Sequence, residues 1–266
     1  GYELQMDKLA EALQIDPVEL RMRNLLAEGS IAVTGNRMPA GTAARETLQA
    51  AAEAAGWRQV GGEWQRPALE QPGDPRRRRG LGVACAYKNV GYSFGFPDRS
   101  AASVELTLGP GGEIRRALVR CAAVDVGQGS QTALAQIAAE ALGIEVDRVQ
   151  TAIVDTAAMP SAGSSSASRH VFMSGRAVLK ACRQALVKRD QVLREETGAT
   201  RVAAGAVFEG PEARRTTPYD PETGQCEPHI SYTYGTQIAL VDVDMETGAV
   251  DIVRLYAATD VGRAVN

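Results

Sequence analysis

Histidine is nearly absent: only His170 and His229 occur in 266 residues, which argues against a His-rich metal site. Aromatic residues make up 5% and the formal net charge is −3. That composition offers neither a base-stacking platform nor a general attraction to nucleic acid or anionic membrane. No apolar run approaches the roughly 18 residues of a spanning helix, and no signal-peptide pattern opens the chain. Cys85, Cys121, Cys182 and Cys226 are scattered without C-x-x-C spacing, so buried thiols are favoured over disulfides and a reducing cytoplasm is the default compartment. There is no G-x-x-x-x-G-K-[ST], and the glycines at 127 and 129 are followed by Thr132 rather than a third glycine. ATP and nicotinamide sites of those types are therefore disfavoured.

What is present is an ordinary globular balance, 44% hydrophobic and 23% charged, long enough for one large core or two modest ones. Periodicity predicts helices over 2–14, from Pro17 to Leu26 and over roughly 43–55. Asp16 and Glu19 have capping-box spacing, and Thr42 is a candidate cap for the third helix. Residues 61–79, with three prolines and the run Arg76–Arg79, read as a connector whose arginines are a solvated segment or an edge gatekeeper before a strand. From Gly80 the pattern is strand-like. "ASVELTL" and "IRRALVRCAAVDV" form one predicted hairpin, "TQIALVDVD" and "VDIVRLYAAT" another, with helices over 131–142 and from 174 to about 195 between them. The expected class is α+β, antiparallel hairpins with packed helices, divided into a helical segment with its connector (1–79) and a strand-rich domain (80–266). The start at Gly1 inside a helical pattern and the end after a strand-like run suggest an excised piece.

Two loops carry the functional signal. "VDVGQGSQT" (124–132) joins a strand to a helix. Helix-start amides attract anions, and Gly127 and Gly129 permit close approach and positive φ. Gln128, Ser130, Gln131 and Thr132 add polar groups. "SAGSSSASRH" (161–170) also precedes a helix, and its serines with Arg169 could surround a phosphate. Taken singly, each loop is equally a turn or a surface loop. Two of them about 40 residues apart suit a ligand bearing more than one phosphate. "YKNVGYSFGFPD" (87–98) could wall such a site, although strand-and-turn packing is the commoner use of such residues.

The ordered stretches "VGQGSQTALAQIAAEALGI", "VDTAAMPSAGSSSASRH" and "SGRAVLKAC" resemble the large subunit of the molybdenum hydroxylases, the xanthine dehydrogenase and aldehyde oxidase family. "MDKLAEALQIDPVELRMRNLL" and "YTYGTQIALVDVDMETGAVDIVRLYAATDVGRAVN" are similar to its flanking segments, so the resemblance covers nearly the whole chain. It implies an incomplete second molybdopterin-binding domain over 80–266. The implied cofactor is molybdopterin with molybdenum, in the cytosine dinucleotide form in bacterial members, with iron–sulfur clusters and FAD on partner domains or subunits. Such enzymes hydroxylate an N-heterocycle or an aldehyde with water-derived oxygen. Carried onto this chain, Gly127, Gln128, Gly129 and Ser130 would meet the cofactor on one side. Ser166, Ala167, Ser168, Arg169 and His170 would meet it on the other, His170 standing where a small hydroxyl residue is usual.

The family's catalytic base is a glutamate in a glycine-rich G-x-G-E segment, and none occurs here. Glu105, Glu140 and Glu209 lack that setting, so the chain by itself is expected to be inactive. The implied partners are the rest of the large subunit, the electron-transfer domains and a small-molecule substrate, with neither nucleic acid nor membrane. The contrasting reading is an anion- or nucleic-acid-binding α+β module without catalysis, using Arg76–Arg79, Tyr87, Lys88 and Tyr92.

Overall fold

The computed structural model describes all residues except 153, 154, 156, 158, 197, 211–215 and 266. The chain divides into two compact units, Gly1–Lys88 with Tyr232–Gly262, and Asn89–Ser231 with Arg263–Asn266. This division falls elsewhere than residue 79. The terminal hairpin forms its sheet with the strand that begins within the arginine run, and its Ile238 enters the core built on the N-terminal helices.

In the first unit, α1 (Tyr2–Leu13), α2 (Pro17–Asn24) and α3 (Ala44–Ala54) precede a short hairpin of β1 (Arg58–Val60) and β2 (Glu63–Gln65). Asp16 caps α2 by accepting from the Val18 amide at 2.8 Å, but the capping box does not close. Glu19 instead binds Arg23 at 2.7 Å and the Trp64 amide at 3.0 Å. Thr42 does not cap α3 either, because its hydroxyl donates to the Pro39 carbonyl at 2.7 Å. Trp57 and Trp64 are buried beside Val18, Leu48 and Ala52, so the segment read as a connector is in part core.

Strand β3 (Arg77–Val90) pairs with β8 (Ser231–Asp244), which pairs antiparallel with β9 (Val250–Asp260). The arginine run meets carboxylates: Arg76 with Asp74 at 2.9 Å, Arg77 with Asp251, and Arg79 with Asp242 at 2.7 Å. Three of its four positive charges are thereby partnered within the unit, which removes most of the basic patch a nucleic-acid surface needs.

The second unit is a four-stranded sheet in the order β6-β5-β4-β7. Its strands are β4 (Ser100–Leu108), β5 (Ile114–Arg120), β6 (Val149–Thr151) and β7 (Arg201–Phe208). Alternation along β4 buries Ala102, Val104, Leu106 and Leu108. Helices α4 (Ser130–Leu142) and α5 (Gly175–Arg194) complete this core with Leu134, Ala138, Ala177, Val178, Ala181 and Cys182. Full burial of a side chain such as Leu134 or Val178 stabilises by about 1.5–3 kcal/mol. Burial also pushes the Cys182 thiol up to about 12. Strand β7, which pairs with β4 along its whole length, was not anticipated: "RVAAGAVF" has too little bulk to read as a strand. The strand-like stretch "VQTAIVDT" (149–156) starts as β6, and its residues 153, 154 and 156 lie outside the described residues. Residue 158 of the following "DTAAMP" and residues 211–212 of "FEGPE" lie outside them too.

Candidate functional site

The two loops emerge from one end of the second unit's sheet. The first follows β5 and leads into α4; the second leads into a π-helical turn, His170–Ser174, that continues as α5. Backbone bonds bring them together there. The Ala122 amide donates to the Pro160 carbonyl at 3.2 Å, and the Ala101 amide to the Ser161 carbonyl at 2.8 Å. A side chain completes the tie: the Ser165 hydroxyl donates to the Val124 carbonyl at 2.9 Å.

Gly127 and Gly129 have φ of 106° and 74°, backbone that L side chains rarely adopt. A Cβ at either position would meet no chain atom within 4 Å, and residues 124–129 are exposed. The helix-start amides, however, already hold an anion, and it is the chain's own. Asp125 accepts from the Gly127 amide at 2.8 Å and from the Gly129 and Gln131 amides at 3.3 Å. These bonds, that from Gly127 first, hold its carboxyl below the usual range. Gln128 folds back, with its Nε2 on the Val124 carbonyl at 3.0 Å and its Oε1 accepting from the Val126 amide at 2.6 Å. Ser130 is buried.

Because the folded-state pKa of Asp125 lies below the unfolded value near 3.8, its contribution is present above that pH and is lost as pH falls through the folded value. Asp125→Ala is expected to lower the thermal midpoint at pH 7 and to speed amide exchange at Gly127, Gly129 and Gln131. The difference from wild type should shrink under strong acid. Unchanged exchange at all three amides would show that Asp125 does not cap the loop.

In the second loop, Arg169 is 1% exposed. Its Nε donates to Asp98 Oδ1 at 2.8 Å and Nη2 to the same oxygen at 2.5 Å. Nη2 also reaches the Arg99 carbonyl at 2.7 Å, while Nη1 donates to the Ala162 carbonyl and to that of Ser164 at 3.3 Å. A guanidinium has five N–H donors, and these five bonds use them all. The fork that could have met a phosphate therefore holds its own loop in shape, with the charge also lying 4.7 Å from the centre of the Tyr92 ring. Tyr92 Oη lies 2.6 Å from Ser164 Oγ and accepts from the Ser164 amide at 3.0 Å. With the Ser164 hydroxyl the largest influence, its phenol is held below the ordinary value.

Ala167 and Ser168 have φ of 53° and 51°. Two consecutive left-handed non-glycine residues cost of order 1–2 kcal/mol each, and such strain concentrates at functional sites. The Gly91 amide, donating to the Ala167 carbonyl at 3.0 Å, helps hold them. Ser166 and Ser168 are exposed and Ala167 is half-buried. His170 is buried between Ser165, 2.7 Å from Nε2, and Ser174, 3.3 Å from Nδ1. Burial and then the Arg169 charge push its imidazole below the ordinary value, against an opposing pull from Asp98.

Of the residues singled out in the sequence, Gly127, Gln128, Gly129, Ser166, Ala167 and Ser168 lie at the surface of the joined loops, while Ser130, Arg169 and His170 lie behind it. Asp98 and Asp125 are not marked by any sequence signal, and Tyr92 is marked only as part of the contrasting nucleic-acid surface. Asp98 and Tyr92 stand in the segment read as strand-and-turn packing, 71 and 72 residues from their partners, and no local pattern reports such a pairing. Glu105 is paired with Arg120 at 3.3 Å and Glu140 with Arg263 at 2.5 Å, and Glu209 lines an open cleft of about 1030 Å³.

Residues 50–266 match the family model described as a molybdopterin cofactor-binding domain. The chain is 27% identical over 282 residues to the aldehyde oxidoreductase of Megalodesulfovibrio gigas, which covers 99% of the chain and 28% of the relative. It is 31% identical over 196 residues to a xanthine dehydrogenase molybdenum-binding subunit of Escherichia coli O157:H7, covering 73% of the chain and 24% of that subunit. Among solved structures, the aldehyde oxidoreductase from Desulfovibrio gigas superposes with a TM-score of 0.74 at 26% identity, over 98% of this chain and 28% of that one. The chain thus spans about a quarter of the length of these relatives.

Proposed function

The chain belongs to the molybdopterin cofactor-binding domain family of the molybdenum hydroxylases, and on that premise we propose that its two joined loops grip a molybdopterin. The observation that carries the reading is the tie between them, Ser165 Oγ to the Val124 carbonyl at 2.9 Å. It supports a single cradle made from the two segments that resemble the family's cofactor loops. The residues fit such a group: exposed hydroxyls, left-handed backbone at 127, 129, 163, 167 and 168, and open space where a Cβ at 127 or 129 would stand.

Gly127, Gln128, Gly129, Ser166, Ala167 and Ser168 form the contacting surface. Ser130, Arg169 and His170 act from behind it by holding the loops in shape. The Asp125 carboxylate already caps the start of α4, so an incoming phosphate is met by the serine loop rather than by those amides. When bound, the cofactor supplies a redox centre for oxidative hydroxylation of an N-heterocycle or aldehyde. The chain's own groups orient the cofactor and keep its backbone path open. The cofactor takes the cytosine dinucleotide form, and iron–sulfur and flavin domains or subunits receive the electrons in the cytoplasm. The segment from residue 80 contributes the greater part of the second cofactor-binding domain, and the catalytic glutamate lies outside these 266 residues.

The test is metal and pterin analysis of the full-length protein, purified from cells that supply the cofactor. About one molybdenum and one pterin per chain is expected; their repeated absence after proper maturation would overturn the proposal.

A further inference from the structure

The hydrogen bonds around His170 have only one self-consistent direction once the Val124 carbonyl is taken as their end. A carbonyl only accepts, so the single proton of Ser165 Oγ points to Val124. His170 Nε2, 2.7 Å from that oxygen, must then be the donor. In a neutral ring this leaves Nδ1 as an acceptor, facing Ser174 Oγ at 3.3 Å, and Ser174 in turn lies 2.9 Å from Ser100 Oγ. Ser100 and Ser174 are fully buried, and Ser100 begins β4. The direction therefore runs from the sheet, through the π-helical turn, to the first loop: Ser100 to Ser174 to His170 to Ser165 to the Val124 carbonyl. Burial of the ring, and then the Arg169 guanidinium beside it, disfavour a second ring proton against the opposing pull of Asp98, which keeps the direction single.

We propose that His170 is a positioning residue that, as the neutral Nε2–H form, locks the Ser165 hydroxyl onto the Val124 carbonyl and so holds the two cofactor loops in register. The inference rests on the reading of those loops as the cradle, and it gives the ring no contact with the cofactor. A shape-filling histidine would have no required tautomer, and any residue of similar volume would replace it. A directional link has a stricter requirement. Glutamine can place its amide N–H where Nε2–H stands. Asparagine matches the Nδ1 side and falls short of Ser165.

The test combines two measurements on the full chain. Histidine-selective ¹⁵N labelling with long-range correlation should show His170 neutral with its proton on Nε2 at pH 7, and His229→Asn assigns the two ring systems. Hydrogen exchange should show faster opening around 124–129 and 164–168, about three- to tenfold, in His170→Asn and Ser165→Ala, with His170→Gln close to wild type. The double variant His170→Asn/Ser165→Ala should be no worse than either single one. Ser165 is exposed, so its variant keeps the test alive if a His170 variant fails to fold. An imidazolium, a proton on Nδ1, or equal exchange in the Gln and Asn variants would overturn the proposal. Molybdenum content of the full-length variants separates the two readings. A wild type without cofactor removes the cradle and leaves the exchange result to judge the link. Normal loading with unchanged exchange removes the link and leaves the cradle.

Discussion

Asp98→Ala is expected to destabilise the chain by about 3–5 kcal/mol, the cost of leaving one member of a buried ion pair without its partner. The Arg169 side chain is 0% exposed and that of Asp98 10%, so water cannot take over the lost contacts. The same carboxylate also accepts the Tyr92 amide at 2.8 Å, and its removal frees the 87–98 segment together with the serine loop. Against a typical total stability of about 5–15 kcal/mol, this is a large fraction. Gly163→Ala should reach a similar end from the other side, because its Cβ would lie 2.8 Å from Nη1 and 3.0 Å from Nη2 of Arg169, at a φ of +72°. Combining Asp98→Ala with Arg169→Met should recover part of the loss, since the orphaned charge is then gone. Urea unfolding of the four proteins decides the matter, and a cost below about 1 kcal/mol for Asp98→Ala would reduce the pair to a surface contact.

Gly127→Val is expected to separate folding from cofactor loading. The backbone there, at φ 106°, lies outside the small left-handed well open to L residues, so the variant pays strain of roughly 1–3 kcal/mol. A Cβ there meets no atom beyond its chain neighbours within 4 Å, so the branched side chain starts from open space on the side proposed for the cofactor. Folded protein with molybdenum content near background is the expected result, and Gly129→Val should behave alike with some fraying of α4. Full loading of a folded Gly127→Val protein would place the loop outside the cofactor site.

The elements that were legible share one property: their signals are local. Asp16 at the start of α2, the helical period of α4 and the hairpin of β8 and β9 each depend on a few neighbouring residues. The same is true of the strand–glycine–helix pattern around 127, which located the first loop. Where local patterns suggested a partner, the nearest candidate could be the wrong one. Glu19 bypasses the cap for Arg23 and a tryptophan amide 45 residues away, and the arginine run is matched by carboxylates such as Asp242, 163 residues on.

By itself the sequence determined the α+β class, the two loops and the family resemblance, because hydrophobic period, turn chemistry and ordered motifs are written in consecutive residues. Only the tertiary structure decided what those loop residues do. The five donors of Arg169 could have faced a phosphate, but folding sets Asp98 and three carbonyls around them. The start of α4 could have taken a ligand's anion, but Asp125, tethered next to it, holds that place. A donor goes to the acceptor that folding holds within reach, and such pairings across 71 residues leave no periodic trace in the chain.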